Sequence, residues 1–191
     1  MANVPCPSCS TVPGCISLVG SAAGIPDSLT GKFCVVVRDL ANNPLNGSSV
    51  TIDLSNAGDL HLCSDQLNVN YIINCAAKTV RQFTDVTGTV CFTLLGGSNG
   101  SGNATSLGGG GRIFADGVLI GSPGVSAFDL DGASGVGAND LSAFLTDLGS
   151  GSAFERSDYD CSNSVGANDL SILLTVLGNG ASSTSCSGTC P

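Results

Sequence analysis

The sequence predicts a mainly β protein, an antiparallel sandwich followed by a small helical module of two loop–helix units. Three observations carry that expectation. Residues 30–124 hold short apolar or alternating runs separated by turn signals, the pattern of antiparallel strands. Residues 125–180 hold one fourteen-residue phrase twice, 29 residues apart and differing at three positions, so a unit has been duplicated. Ten cysteines among 191 residues imply a disulfide frame.

The strands come first. Phe33-Cys34-Val35-Val36-Val37 is an unbroken apolar run, which asks for cover on both faces, whether from neighbouring subunits or as an ordinary buried sandwich strand. Asn42-Asn43-Pro44-Leu45-Asn46-Gly47 is dense turn chemistry, and Ser49-Val50-Thr51-Ile52-Asp53-Leu54 then alternates with period two. Residues 79–84 and 89–95 flank a turn at Thr87-Gly88. Arg112-Ile113-Phe114-Ala115 and Val118-Leu119-Ile120 flank Asp116-Gly117, a strong hairpin signal. Residues 66–76 fit a short helix or a strand equally. Residues 96–111 are almost all Gly, Ser and Asn and read as a flexible loop.

Two of these phrases resemble bacterial immunoglobulin-like repeat domains. Val37-Arg38-Asp39 with Asn43-Pro44-Leu45-Asn46-Gly47-Ser48-Ser49-Val50-Thr51-Ile52 is similar to their opening hairpin. Thr84-Asp85-Val86-Thr87-Gly88-Thr89-Val90-Cys91-Phe92-Thr93-Leu94 is similar to a later strand. The resemblance implies an immunoglobulin-like β-sandwich and says nothing of function.

Four zones follow: a Cys-rich N-terminal arm (1–29), the sandwich (30–124), the repeat pair (125–180) and a Cys-containing tail (181–191). Cys6, Cys9, Cys15, Cys34, Cys63, Cys75, Cys91, Cys161, Cys186 and Cys190 favour disulfides and an extracellular or cell-surface location. Zinc needs clustered ligands. Cys6-x-x-Cys9 has suitable inner spacing, but His61 is the one histidine and the other close pair, Cys186 and Cys190, is distant. Cys34 is expected to pair with Cys91, each on a strong strand candidate. No apolar run reaches the length of a membrane span. Met1 to Cys15 lacks the basic and apolar regions of a signal peptide, so an exported chain would have lost one already. Asn46, Asn99 and Asn103 open glycosylation acceptor triplets. Charged residues make up 11% and the net charge is −9. That balance argues against nucleic acid, which needs cationic side chains for its phosphates, and suits divalent cations.

The repeat carries the chemistry. Leu141, Phe144, Leu145 and Leu148 fall at helical spacing, as do Leu170, Leu173, Leu174 and Leu177, which predicts two helices with one apolar stripe each. Gly149 and Gly178 are expected to stop them. Helices this short cannot bury a stripe alone and should pack together. Before each helix stands an acidic loop. The first places Asp129, Asp131, Ala133 and Gly135 at positions 1, 3, 5 and 7, and Asp140 at 12. The second places Asp158, Asp160, Ser162, Ser164 and Asp169 there. Oxygen donors at these positions make an EF-hand-type loop, in which alternate residues turn inward on Ca2+, position 7 offers its backbone carbonyl, and an acid closes the shell at position 12. The bland alternative is two acidic helix starts that merely complement dipoles.

Residues 125–180 resemble a dockerin, a module of two such units whose closing ligand is Asp, as with Asp140 and Asp169. The resemblance implies two Ca2+ sites. Ala133 and Ser162 depart from the usual Asp or Asn at position 5, Ser134 and Asn163 from Gly at position 6, and Gly137 and Gly166 from Asn at position 9; with no side-chain oxygen at Ala133, the first site is expected to be the weaker. It also implies cohesin-contacting residues at positions 10 and 11, here Ala138-Asn139 and Ala167-Asn168, identical in both copies.

Enzyme chemistry has little to work with: one His, one Glu (Glu155) and no nucleophile motif. Two non-enzymatic readings remain. One is a structural subunit that self-assembles into an extracellular filament or surface layer. It is favoured by sparse charge, Cys-rich segments at both ends and the apolar run at 33–37. The other is an anchoring or adhesion module for a cohesin-like partner. With no Trp and two Tyr, a sugar platform is disfavoured.

Overall fold

The computed structural model describes residues 4–22, 25–98, 110–133, 135–150, 155–179, 186 and 188–190. The chain is mainly β. Its strands are β1 (Cys15–Leu18), β2 (Ser21–Ala22), β3 (Ile25–Pro26), β4 (Lys32–Val36), β5 (Ser49–Asp53), β6 (Leu60–Leu62), β7 (Ile72–Asn74), β8 (Thr79–Phe83), β9 (Thr89–Thr93), β10 (Gly96–Ser98), β11 (Arg112–Ala115), β12 (Val118–Gly121) and β13 (Gly124–Ala127). The helices are α1 (Ser28–Gly31), α2 (Ala138–Ser150) and α3 (Ala167–Asn179).

The largest sheet runs β12-β11-β5-β8-β7, antiparallel throughout. Its inward residues alternate with period two: Val50 and Ile52, Val80, Ile113 and Ala115 are wholly buried. The β4–β9 pair, antiparallel, and the β1–β13 pair, parallel, send Val35, Phe92, Ile16, Leu18, Val125 and Ala127 into the same core. The N-terminal arm thus belongs to this core through β1.

The hairpin at 116–117 forms as its sequence demands. Asp116 and Gly117 both take left-handed backbone (φ 46° and 81°), the pair of conformations a two-residue turn needs. Residues 66–76 contain strand β7, followed by a short 3₁₀ turn at Cys75–Ala77. The 33–37 run differs from its reading. Val35 is buried, Phe33 and Val36 half-buried, and Cys34 exposed. The reason is covalent: Cys34 stands opposite Cys91 in the β4–β9 register and is bonded to it. Residues 96–98 are not loop but strand β10, paired with β6; the rest of the Gly-rich stretch up to residue 109, with Asn99 and Asn103, lies outside the described residues. Asn46 is exposed.

Disulfides pair all ten cysteines: Cys6–Cys9, Cys15–Cys161, Cys34–Cys91, Cys63–Cys186 and Cys75–Cys190. Three of them close loops of more than a hundred residues, where a crosslink restricts the unfolded chain most, by about 4–5 kcal/mol each on the chain-entropy account. Among the described residues no helix is long and apolar enough to cross a membrane.

A second apolar cluster lies beneath the repeat. Phe128, Leu130, Phe144, Tyr159, Leu173 and Val176 are buried together with Val19 and Leu95. Both helices feed it: Leu141, Phe144 and Leu148 of α2 and Leu170, Leu173 and Leu177 of α3 pack there as expected. Asp140, Phe144 and Asp147 face inward on α2, and Asp169, Leu173 and Val176 on α3, whereas Leu145 and Leu174 are 48% and 49% exposed. The acid that closes each loop lies on the buried face as well. Each helix ends one residue past Gly149 or Gly178.

Two glycines should respond oppositely to substitution. Gly88 has φ 74°, and a Cβ there would meet the Val37 carbonyl oxygen at 2.6 Å and the Leu45 nitrogen at 3.0 Å. Gly88→Ala should cost at least about 2 kcal/mol. Gly149 is helical with open space around it, so Gly149→Ala should stabilise by about 0.5–1 kcal/mol. Denaturant titration of both variants checks the pair.

Candidate metal centre

Strand β13 runs directly into Phe128 and Asp129, and a 3₁₀ turn at Glu155–Ser157 runs directly into Asp158. Each loop therefore starts from a fixed backbone and ends on the first turn of a helix. The two loops close with the same hydrogen bonds. Asp140 Oδ1 accepts from the backbone N–H groups of Leu130 (2.6 Å) and Asp131 (3.1 Å), and Oδ2 from that of Gly137 (2.6 Å). Asp169 Oδ1 accepts from Tyr159 (2.7 Å) and Asp160 (3.1 Å), and Oδ2 from Gly166 (2.8 Å). Both carboxylates are 1% exposed.

The closing acid gathers the others. Asp129, Asp131 and Asp140 each offer a carboxylate oxygen within 4.8 Å of one another, and so do Asp158, Asp160 and Asp169. Either trio could hold a metal ion. The remaining predicted ligands are placed less directly. Ala133 is exposed and has no side-chain oxygen; Gly135 is buried, with φ 74°. The Ser162 hydroxyl reaches the Ser164 carbonyl at 3.2 Å and the Ser164 hydroxyl at 3.0 Å. Position 6 of the first loop, Ser134, lies outside the described residues. Ala138, Asn139, Ala167 and Asn168 are all exposed.

The electrostatics of the first loop test its fit to a cation. No Lys or Arg pairs with any of the six loop acids among the described residues. Burial, and next the Asp140 carboxylate, push Asp129 up to about 7. Asp140 is raised as well, first by burial. In the second loop burial raises Asp158, while the more exposed Asp160 is lowered, chiefly by the Ser162 hydroxyl. Hydrogen-bond donors alone thus leave Asp129 short of the compensation a carboxylate needs at neutral pH. A hard divalent ion, which takes six to eight oxygens at roughly 2.3–2.6 Å, would supply it. The residues fit such an ion. Gly97 contributes by having no side chain: a Cβ there would lie 3.1 Å from the Asp129 carboxyl.

One buried ion pair at the site has no counterpart in the sequence reading. Arg156 donates from Nε and Nη2 to Asp147 (2.9 and 2.7 Å), and the Ser157 hydroxyl donates to the same carboxylate at 2.5 Å. Asp147 is 2% exposed. The signal was present: Asp147 is one of the three positions at which the copies differ, standing where the second copy has Val176. This fork ties α2 to the turn that launches the second loop. Beside it, Tyr159 stacks between Phe128 (4.5 Å) and Phe144 (5.9 Å). Burial raises its hydroxyl well above the usual range, and Asp140 adds to the shift.

These features define a disulfide-stapled, mainly β protein with a duplicated, carboxylate-lined loop–helix unit. None of the known protein families, curated proteins or solved structures compared with the chain matches it.

Two outcomes follow from the site. Asp147→Ala would remove the buried carboxylate that takes both Arg156 N–H groups and should cost about 3–5 kcal/mol, read by denaturant titration. The metal-free protein should depend on pH through Asp129. Its folded pKa lies above the unfolded value, so the folded state keeps a proton that the unfolded chain releases. That stability is complete below about pH 4 and is lost as pH rises toward 7. Melting temperatures with chelator should fall across that window, and Asp129→Asn should flatten the fall.

Proposed function

We propose that this is a non-enzymatic, extracellular calcium-binding structural protein, a subunit that assembles with copies of itself into a filament or surface layer. The observation that carries the calcium part is the duplicated trio of carboxylate oxygens, each gathered within 4.8 Å and paired with no cationic side chain among the described residues. Asp129, Asp131 and Asp140 would hold one ion with the Gly135 carbonyl. Asp158, Asp160 and Asp169 would hold the other, with oxygens from Ser162 and Ser164. The first loop lacks a side-chain ligand at Ala133 and binds more weakly. Bound Ca2+ offsets the mutual repulsion of the acids and fixes the start of α2 and α3.

The immunoglobulin-like sandwich and the dockerin-like module belong to this reading. The two core clusters and the antiparallel five-stranded sheet support it. Five disulfides fit an oxidising, extracellular setting. Sparse charge and the large exposed hydrophobics support self-association.

A second reading, an anchoring module for a cohesin-like partner, is favoured by one specific observation. Ala138-Asn139 and Ala167-Asn168 are exposed at equivalent places in both copies, as are Leu145 and Leu174.

Calorimetry should show two Ca2+ sites of unequal affinity and a rise in melting temperature with calcium; absence of both heat and stabilisation would end the calcium claim. Purified protein in calcium should form regular polymers by electron microscopy, loosened by chelator. A chain that stays monomeric at high concentration with calcium bound would favour the anchoring module instead.

A further inference from the structure

An open hollow of about 480 Å³ lies at the Lys32 end of the β4–β9 pair, within the size range of binding pockets. Its wall includes Ile25, Leu67, Val69, Tyr71 and Phe92, with Lys32 beside them. Ile25 and Val69 are 69% and 98% exposed, a high cost for apolar side chains with nothing over them. Leu67 has φ 57°, a left-handed backbone that a bulky residue adopts only when surroundings force it, at roughly 1–2 kcal/mol. The strain presents an apolar side chain at the mouth of the hollow. Among the described residues Lys32 has no acidic partner, in a chain with net charge −9.

The other end of the same strand pair carries exposed apolar side chains on turns. The turn between β8 and β9 projects Val86, 77% exposed, and the neighbouring β4–β5 turn projects Leu40, 73% exposed. Gly88 seats the first turn against Val37, Pro44 and Leu45. Asp85 holds that turn with Oδ1, which accepts from the Thr87 and Thr89 N–H groups (2.8 and 3.1 Å) and from the Thr87 hydroxyl (2.6 Å). Its Oδ2 takes no hydrogen bond among the described residues.

We propose that the hollow receives the 84–88 turn of a second copy, with Val86 against Leu67 and the Asp85 carboxylate facing Lys32. This rests on the self-assembly reading and names its contact. Charge complementarity selects the occupant: an acid next to an apolar knob meets a cation without an acidic partner next to an apolar hollow. Because knob and hollow sit at opposite ends of β4–β9, the contact is head-to-tail. A contact between different surfaces that does not close on itself generates an open chain rather than a dimer.

The test uses the full chain in calcium, with sedimentation and electron microscopy as readouts and melting temperature as the control for folding. Lys32→Glu, Val86→Asp and Leu67→Gly should each raise the concentration needed for polymers by about tenfold or more. Leu67→Gly should melt no lower than wild type, since glycine accepts that backbone without strain. At a concentration where wild type polymerises, Lys32→Glu and Val86→Lys should each stay unassembled alone. An equimolar mixture of the two should polymerise. At one junction the introduced carboxylate in the hollow meets the introduced ammonium on the knob, and at the next the wild-type pair re-forms. Wild type that polymerises alongside variants that polymerise equally well would overturn this contact and leave the filament reading intact. So would a mixture that stays unassembled. Wild type that never polymerises would remove the filament reading and this contact together.

Discussion

Each loop of the repeat is closed by one aspartate holding three backbone N–H groups, and most of the C-terminal third follows from those bonds. Asp140 draws the amides of Leu130, Asp131 and Gly137 onto its two oxygens; Asp169 does the same with Tyr159, Asp160 and Gly166. The bonds fold each loop back on its own helix start, where the helix dipole also favours the charge. They bring two more carboxylates to the same place. Burial then makes the gathering costly, and the raised pKa of Asp129 measures that cost. A cation held there would offset that cost, and in that way metal binding would become folding free energy.

The loops are anchored to the β body covalently and through the core. Cys161 stands at position 4 of the second loop and is bonded to Cys15 at the start of β1. β1 lies beside β13, which leads into the first loop. One strand pair therefore touches both loops. The second core cluster reinforces the link, since Val19 and Leu95 of the β body pack with Phe128, Phe144 and Tyr159. Buried Gln66 adds a polar clamp. It donates to the Cys63 and Leu95 carbonyls and accepts from the Leu95 N–H.

Much of this was legible in the sequence where local chemistry decides structure. The strands at 49–53, 79–83, 89–93, 112–115 and 118–121 follow from alternation and turn residues, and the structure places them within a residue or two of expectation. The helices were legible from the duplication. Three of the four apolar positions expected on each inward face pack there, but Leu145 and Leu174 lie outside and Asp140 and Asp169 face inward, which periodicity does not show because it counts apolar residues. Gly149 and Gly178 read as stops by composition, yet neither takes the left-handed conformation that makes glycine an end. Long-range features were mostly closed to inspection. Nothing in the spacing of Cys15 and Cys161, 146 residues apart, identifies them as partners. The parallel pairing of β1 with β13 also depends on the whole fold.

The departures of the second copy from the first show how duplication was put to separate uses. Position 4 is Gly132 in one loop and Cys161 in the other, and both have left-handed backbone, φ 72° and 52°. Glycine accepts that conformation freely, whereas cysteine is strained in it. The disulfide to Cys15 is what holds the second loop there. The first loop has instead Gly97 of β10 against Asp129 and the Asp147–Arg156 fork on its helix. That fork reaches forward to the turn before the second loop, so the first unit braces the second through an ion pair, while the β body braces it through a covalent bond. Identical closing aspartates thus sit in two differently supported frames. The two loops differ in their supports and in their fifth-position residue, Ala133 against Ser162, and agree in the three carboxylates that define them.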